Sequence, residues 1–312
     1  MELYKIGLKQ TERNKKYKNN FLSATLHCLI NIEFLSKFLY EFNKRIDNKK
    51  LNAYKTLLEE IKKTNNNCIS LENYENILLN NINEKDYNPQ FLLKHLLEDF
   101  KGFMLNKYEK TEISDNICIE LQNVKECVEC KNVIEEQKKE ELYLAYDLSK
   151  ENNVYDCIES YLKIKENEYN IIYCEQCKKK TQHKIKRILR NLPEVLIIFV
   201  DYGKDKNVEI DKEFEFNEYL DDFSSIKANI HSNHQNKKYY LSSLICARQL
   251  NEKKEHFHTF CRESKNSKYF CFNGEIFHEV ENINNKLKKE KIDLKDKKER
   301  FPYILIYKSY YD

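Results

Sequence analysis

Residues 173–200 read YCEQCKKKTQHKIKRILRNLPEVLIIFV, and CVEC stands upstream at 127–130. Two Cys-x-x-Cys pairs, Cys127/Cys130 and Cys174/Cys177, therefore flank residues 131–173. A tetrahedral zinc ion takes four thiolates, and each pair supplies two from one tight turn. Both pairs sit between stretches with strand character, as a zinc ribbon requires. The spacing predicts a structural zinc site, because four protein ligands leave no position for water. The other cysteines, Cys28, Cys68, Cys118, Cys157, Cys246, Cys261 and Cys271, have no such spacing and read as core or surface thiols.

Outward from the pairs, the chain divides by periodicity. In NFLSATLHCLINIEFLSKFLY, residues 20–40, the apolar positions recur at helical spacing, with Asn19 or Asn20 as the expected N-cap. Further helices are expected over about 51–62 and about 89–106, the latter with Pro89 in its first turn. From about residue 115, short apolar runs alternate with polar turns: ICIEL, LYLAYDL, EVLIIFV, YYLSSLICA, FHTFCRE, KYFCF and YILIYKS. Their β-branched and aromatic content reads as strands. VYDCIESYL, at 154–162, is expected as a short helix, and residues 203–238 and 281–300 as polar surface insertions. Helices followed by strands make the class α+β.

Lys and Arg number 54 against 51 Asp and Glu among 312 residues, a net charge of +3. That balance argues against a tight nonspecific nucleic-acid binder. No run approaches the length of a membrane span, and the start MELYKIGLKQTERNKKYKNN has no secretory apolar core. An intracellular protein, cytoplasmic or nuclear, with reduced thiols is expected.

The segment after the second cysteine pair resembles the fingers-to-palm passage of ubiquitin-specific proteases. Downstream, YYLSSLICARQL and EHFHTFCRE resemble that family's strand and histidine box, although Glu255 stands where its glycine precedes the histidine. KYFCFNGEIFHEV and PYILIYKS resemble its last strands. At the other end, IGLK at 6–9 and NNFLSATLHCLINIEFLSKFL resemble the cysteine box and its helix. QFLLKHLLEDF fits the next helix, with Tyr87 and Gln90 in place of the usual acids.

The resemblance implies a papain-like fold: a helical thumb to about residue 112, zinc-ribbon fingers over about 113–200, and a β palm over about 201–312. It places Asn20 at the nucleophile's position, His256 at the general base and Asn273 at the residue that orients the imidazole. It sets Glu255 and Phe257 along the channel for ubiquitin's Gly-Gly tail, where a carboxylate would obstruct passage. The stretch TERNKKYKNN lengthens the loop before Asn20, leaving Asn14 and Asn19 as oxyanion candidates. An amide is neither nucleophilic nor ionisable. The implied function is thus a pseudo-deubiquitinase that binds ubiquitin, a ubiquitin-like protein or a larger complex. Two alternatives stand beside it: an active ubiquitinyl hydrolase, and a structural subunit of an RNA-processing complex.

Overall fold

In a computed structural model, the residues described are 5–9, 20–83, 87–105, 115–147, 169–201, 210–215, 237–251, 254–274, 276–280 and 300–310. The expected helix at 154–162 and most of the two polar insertions lie outside them. The chain divides into two packed units. One comprises residues 1–109, 197–200 and 241–307, and the other 110–196, 201–240 and 308–312.

The first unit opens with β1 (Gly7–Lys9), α1 (Phe21–Ile30), α2 (Glu33–Glu41), α3 (Lys49–Lys63), β2 (Cys68–Ser70), α4 (Glu72–Leu78) and α5 (Pro89–Leu105). Every residue of α1 is buried, which marks a helix enclosed on all sides. Two helices of this unit carry asparagine caps. Asn48 Oδ1 accepts from the backbone N–H of Lys50 and Leu51 at 3.0 and 3.1 Å, and Asn88 Oδ1 from that of Phe91 at 2.8 Å. Pro89 follows at the first helical position of α5, where its missing N–H is no loss.

The stretch 20–40 is two helices, not one. Asn31 turns its Nδ2 away from the helix, toward Ser242 O at 3.2 Å, Ser243 Oγ at 2.5 Å and Arg262 O at 3.4 Å. The Ile32 N–H bonds Leu29 O at 3.0 Å, a tightened last turn, and α2 restarts at Glu33.

The second unit begins with β3 (Ile119–Cys127), β4 (Val133–Glu135), β5 (Lys139–Glu141), β6 (Leu144–Asp147), β7 (Tyr169–Cys174) and β8 (Lys179–Asn191). Strands β3, β4, β5, β7 and β8 form one sheet in the order β4-β3-β8-β7, with β5 also on β3. The strands that follow are β9 (Val195–Asp201), β10 (Glu213–Glu215), β11 (Lys238–Asn251), β12 (Lys254–Cys261), β13 (Tyr269–Asn273), β14 (Ile276–Val280) and β15 (Arg300–Tyr310). In the first unit the strand order is β14-β13-β12-β11-β15-β9. The seven sequence-expected strand runs correspond to β3, β6, β9, β11, β12, β13 and β15, so the fold is α+β as expected.

Helix α1 lies along β12 and is fastened to it at regular intervals. Thr259 Oγ1 donates to Ala24 O at 2.9 Å, and Cys261 Sγ to His27 O at 3.8 Å. Helix positions 24, 27 and 31 share one face, while strand positions 259 and 261 share another, so the two periods run in step. A one-residue slip of β12 would turn Thr259 and Cys261 away.

His27 is fully buried on this face, stacked on Phe272 with ring centroids 4.2 Å apart. Burial lowers its pKa to about 3, and a hydrogen bond with the Gly274 backbone opposes the shift only in part. The unfolded chain, with an ordinary histidine, takes up a proton near pH 6.5 that the native state refuses. Stability is therefore unaffected above that pH and falls below it, by up to about 1.4 kcal/mol per pH unit. Denaturant unfolding between pH 7 and pH 4 should show this slope, and His27→Gln should flatten it.

Candidate functional site

The N-terminus of α1 and the adjoining ends of β12 and β13 bring Asn20, His256 and Asn273 together. Asn20 occupies the N-cap position, but its side chain makes no cap bond, contrary to the usual use of an asparagine there. Its amide instead grips the backbone of β12. Asn20 Nδ2 donates to Phe257 O at 2.6 Å, and Phe257 N–H donates to Asn20 Oδ1 at 2.8 Å. The amide thus acts as a short β-ladder partner for Phe257. It extends the series of helix-to-strand bonds by one more step, with 20 and 257 preceding 24 and 259. Only one orientation of the amide satisfies both bonds, which settles which atom is oxygen.

Asn20 Nδ2 also lies 3.5 Å from Asn273 Oδ1, and that oxygen is 2.5 Å from His256 Nε2. Asn273 Oδ1 is therefore the shared acceptor between Asn20 and the imidazole. Its place is set by the turn that follows: Asn273 pairs with Ile276, and Gly274 between them has φ +63°. A side chain at Gly274 would be strained there, so the residue type fixes the end of β13.

Asn20 thus contacts the residue after His256 and the residue behind His256. The ring of His256 is half-buried and meets His258 edge-on at 5.1 Å. Phe257, expected along a tail channel, has a fully buried ring packed against Tyr303 at 5.4 Å. What it presents at the site is its backbone. The side chain of Glu255 and the residues Asn14 and Asn19 lie outside the described residues.

Tyr87 stacks on Phe21 at 5.4 Å, and Gln90 Nε2 donates to Val200 O and Tyr303 O at 3.0 and 2.9 Å. Both residues therefore serve packing. Cys28 is fully buried within α1, where burial pushes its thiol well above the ordinary range and Cys261 adds to the shift. That environment disfavours its thiolate, the reactive form.

In the second unit, Cys127 closes β3 and Cys174 closes β7, with Cys130 and Cys177 following in turns. The four sulfurs lie within 4.8 Å of one another. Cys127 and Cys177 approach to 3.9 Å, and Cys130 and Cys174 to 3.5 Å. Zinc–thiolate bonds of about 2.3 Å in a tetrahedron put sulfurs about 3.8 Å apart, so the donor set fits such an ion. Each turn ends in a left-handed residue, Lys131 at φ 62° and Lys178 at φ 54°. The two knuckles thus repeat one local geometry.

Donors converge on the sulfurs. The Cys130 backbone N–H and then the Thr181 hydroxyl push the Cys127 thiol down to about 6, while burial opposes them. Cys177 N–H points at Cys174 Sγ at 3.5 Å and lowers that thiol. At Cys127 and Cys174 such donors favour thiolate, the form that binds metal, whereas the contact with Cys130 and then burial push the Cys177 thiol up. Thr181 carried no signal in the sequence beyond its place four residues after Cys177.

Compared with protein families, the chain matches the model described as ubiquitin carboxyl-terminal hydrolase over residues 13–307. A search of curated proteins finds no match.

Proposed function

The chain belongs to the ubiquitin carboxyl-terminal hydrolase family, and from that premise we propose a member that binds ubiquitin or a ubiquitin-like protein without cleaving it. The observation that carries this reading is the engagement of Asn20. Hydrolysis by a cysteine peptidase begins with a thiolate at a helix N-terminus, where the dipole and a histidine lower its pKa. At the head of α1 stands an amide whose oxygen and nitrogen are both committed, to Phe257 and Asn273. With its nitrogen pair delocalised, an amide is not a nucleophile for acyl transfer.

His256 and Asn273 retain the relation of a base and its orienting partner. Without an acid to deprotonate, that pair only holds the imidazole in place. Glu255, in the position of the family's glycine, adds a second obstacle to a ubiquitin tail. We assign the thumb to about residues 1–112, the fingers to about 113–200 and the palm to about 201–312.

The cysteine cluster is assigned to zinc held by Cys127, Cys130, Cys174 and Cys177, which would cross-link the two hairpins. Its role would be structural, since no ligand position is open for substrate. Among the described residues no helix is long and apolar enough to cross a membrane. The described cysteines are free thiols, and we place the protein in the cytoplasm or nucleus, where thiols stay reduced.

Two measurements test this. A ubiquitin probe with a C-terminal electrophile should leave the protein unlabelled, and calorimetric titration with ubiquitin should give saturable binding. Stoichiometric labelling would overturn the proposal. Absence of binding at high micromolar ubiquitin would leave a scaffold without ubiquitin affinity.

A further inference from the structure

Four thiolates around one divalent ion leave a net double negative charge, and here two of the four residues, Cys127 and Cys174, are fully buried. Charge of that kind requires hydrogen-bond donors aimed at the sulfurs. Backbone N–H groups within each knuckle supply some, as they do at Cys174. Thr181 supplies one of a different kind. Its hydroxyl lies 3.2 Å from Cys127 Sγ, and its residue is only 3 % exposed.

Thr181 comes from β8, the strand that leaves the second knuckle, and it pairs there with Ile172 of β7. Cys127 belongs to the first knuckle, at the end of β3, and pairs with His183. The contact therefore runs from one hairpin to a ligand of the other. A metal-bound thiolate has no proton, so the hydroxyl must be the donor. Threonine suits the task, because its branched Cβ is favoured in a strand and restricts the rotamer that aims the hydroxyl. The His183 ring, whose Nδ1 lies 3.0 Å from Thr181 O, braces the same residue from behind.

We propose that Thr181 is a positioning residue of the metal site, whose O–H···S bond to Cys127 tightens zinc binding by coupling the two knuckles. The inference rests on the assignment of the four cysteines to zinc. Outer-shell donors of this kind change metal affinity by about 10–100-fold.

The test compares the full-length protein with Thr181→Val, which keeps the shape and removes the donor, and with Thr181→Ser, which keeps the donor. Zinc affinity is read by competition with a chromophoric chelator. The cobalt-substituted protein reports the sulfur-to-metal charge-transfer band, which responds to hydrogen bonding at sulfur. Thr181→Val should bind zinc about 10–100-fold more weakly with a displaced band. Thr181→Ser should remain within a few-fold of the parent with its band in place. Unchanged affinity and band in Thr181→Val would overturn the proposal, as would equal weakening in both variants, which would assign the effect to packing. If the parent protein binds neither zinc nor cobalt, the zinc assignment itself fails and this inference falls with it.

Discussion

Asn20→Ala should lower the unfolding free energy by about 2–4 kcal/mol, a large effect for a residue that is only partly buried. The alanine would strip partners from the N–H and the C=O of Phe257, a residue with no exposed surface. Each buried backbone group left unsatisfied costs about 1–3 kcal/mol. Asn20→Cys should be destabilised similarly, since a thiol cannot serve both groups at once. A thiol there would thus loosen the joint that holds α1 against β12. Asn20→Asp separates the amide's two halves. One carboxylate oxygen could still accept from the Phe257 N–H, but the other would face Phe257 O and Asn273 Oδ1, both acceptors. Relative to the parent, that variant should recover stability as pH falls and its carboxyl takes a proton to donate. Chemical denaturation of the three variants checks the series. A change within about 0.5 kcal/mol for Asn20→Ala would show that the clamp contributes nothing.

The hydrogen bonding of Asn20 was not visible in the chain. Asn20 and Phe257 are 237 positions apart, and no local pattern announces that an amide will substitute for a strand partner. The residue types were legible, and so was their order in the family's pattern. Their hydrogen bonds depend on the register of β12 against α1, which is a tertiary fact. The strand itself was readable, because Phe257, Phe260 and Cys261 carry the apolar signal.

The helix that proved to be two, and the one the sequence did not announce, have equally specific causes. The stretch 20–40 has one continuous helical period, and nothing local requires a break. The break comes from Asn31 reaching acceptors on β11 and at Arg262, just past the end of β12. The seven-residue α4 is too short and too rich in polar residues for its pattern to stand out. By contrast α5 was readable at its first turn, because Pro89 acts locally and needs no distant partner. The cysteine knuckles were readable for the same reason, whereas Thr181 is significant only through a contact across strands.

Removal of the zinc proposed for the four cysteines should have the largest effect of all, and one confined to the second unit. With the ion gone, four sulfurs remain within 4.8 Å, where more than one thiolate is repulsive. The turns that follow would also lose the tether that holds Lys131 and Lys178 in left-handed conformations, which cost about 1–2 kcal/mol each. Structural zinc contributes about 10–16 kcal/mol of binding free energy in small isolated domains, so little else need fail for the hairpins to open. Hydrogen exchange should accelerate in residues 119–135 and 169–191 on chelation, and in Cys127→Ser and Cys174→Ser. The amides of α1, α5 and β12 should keep their protection, since their bonds lie within the first unit. Re-adding zinc should restore protection in the parent and not in the serine variants. Exchange that is the same with and without chelator would mean that these four cysteines hold the sheet by packing alone. Loss of protection throughout both units would mean instead that the metal supports the whole chain, including the joint at Asn20.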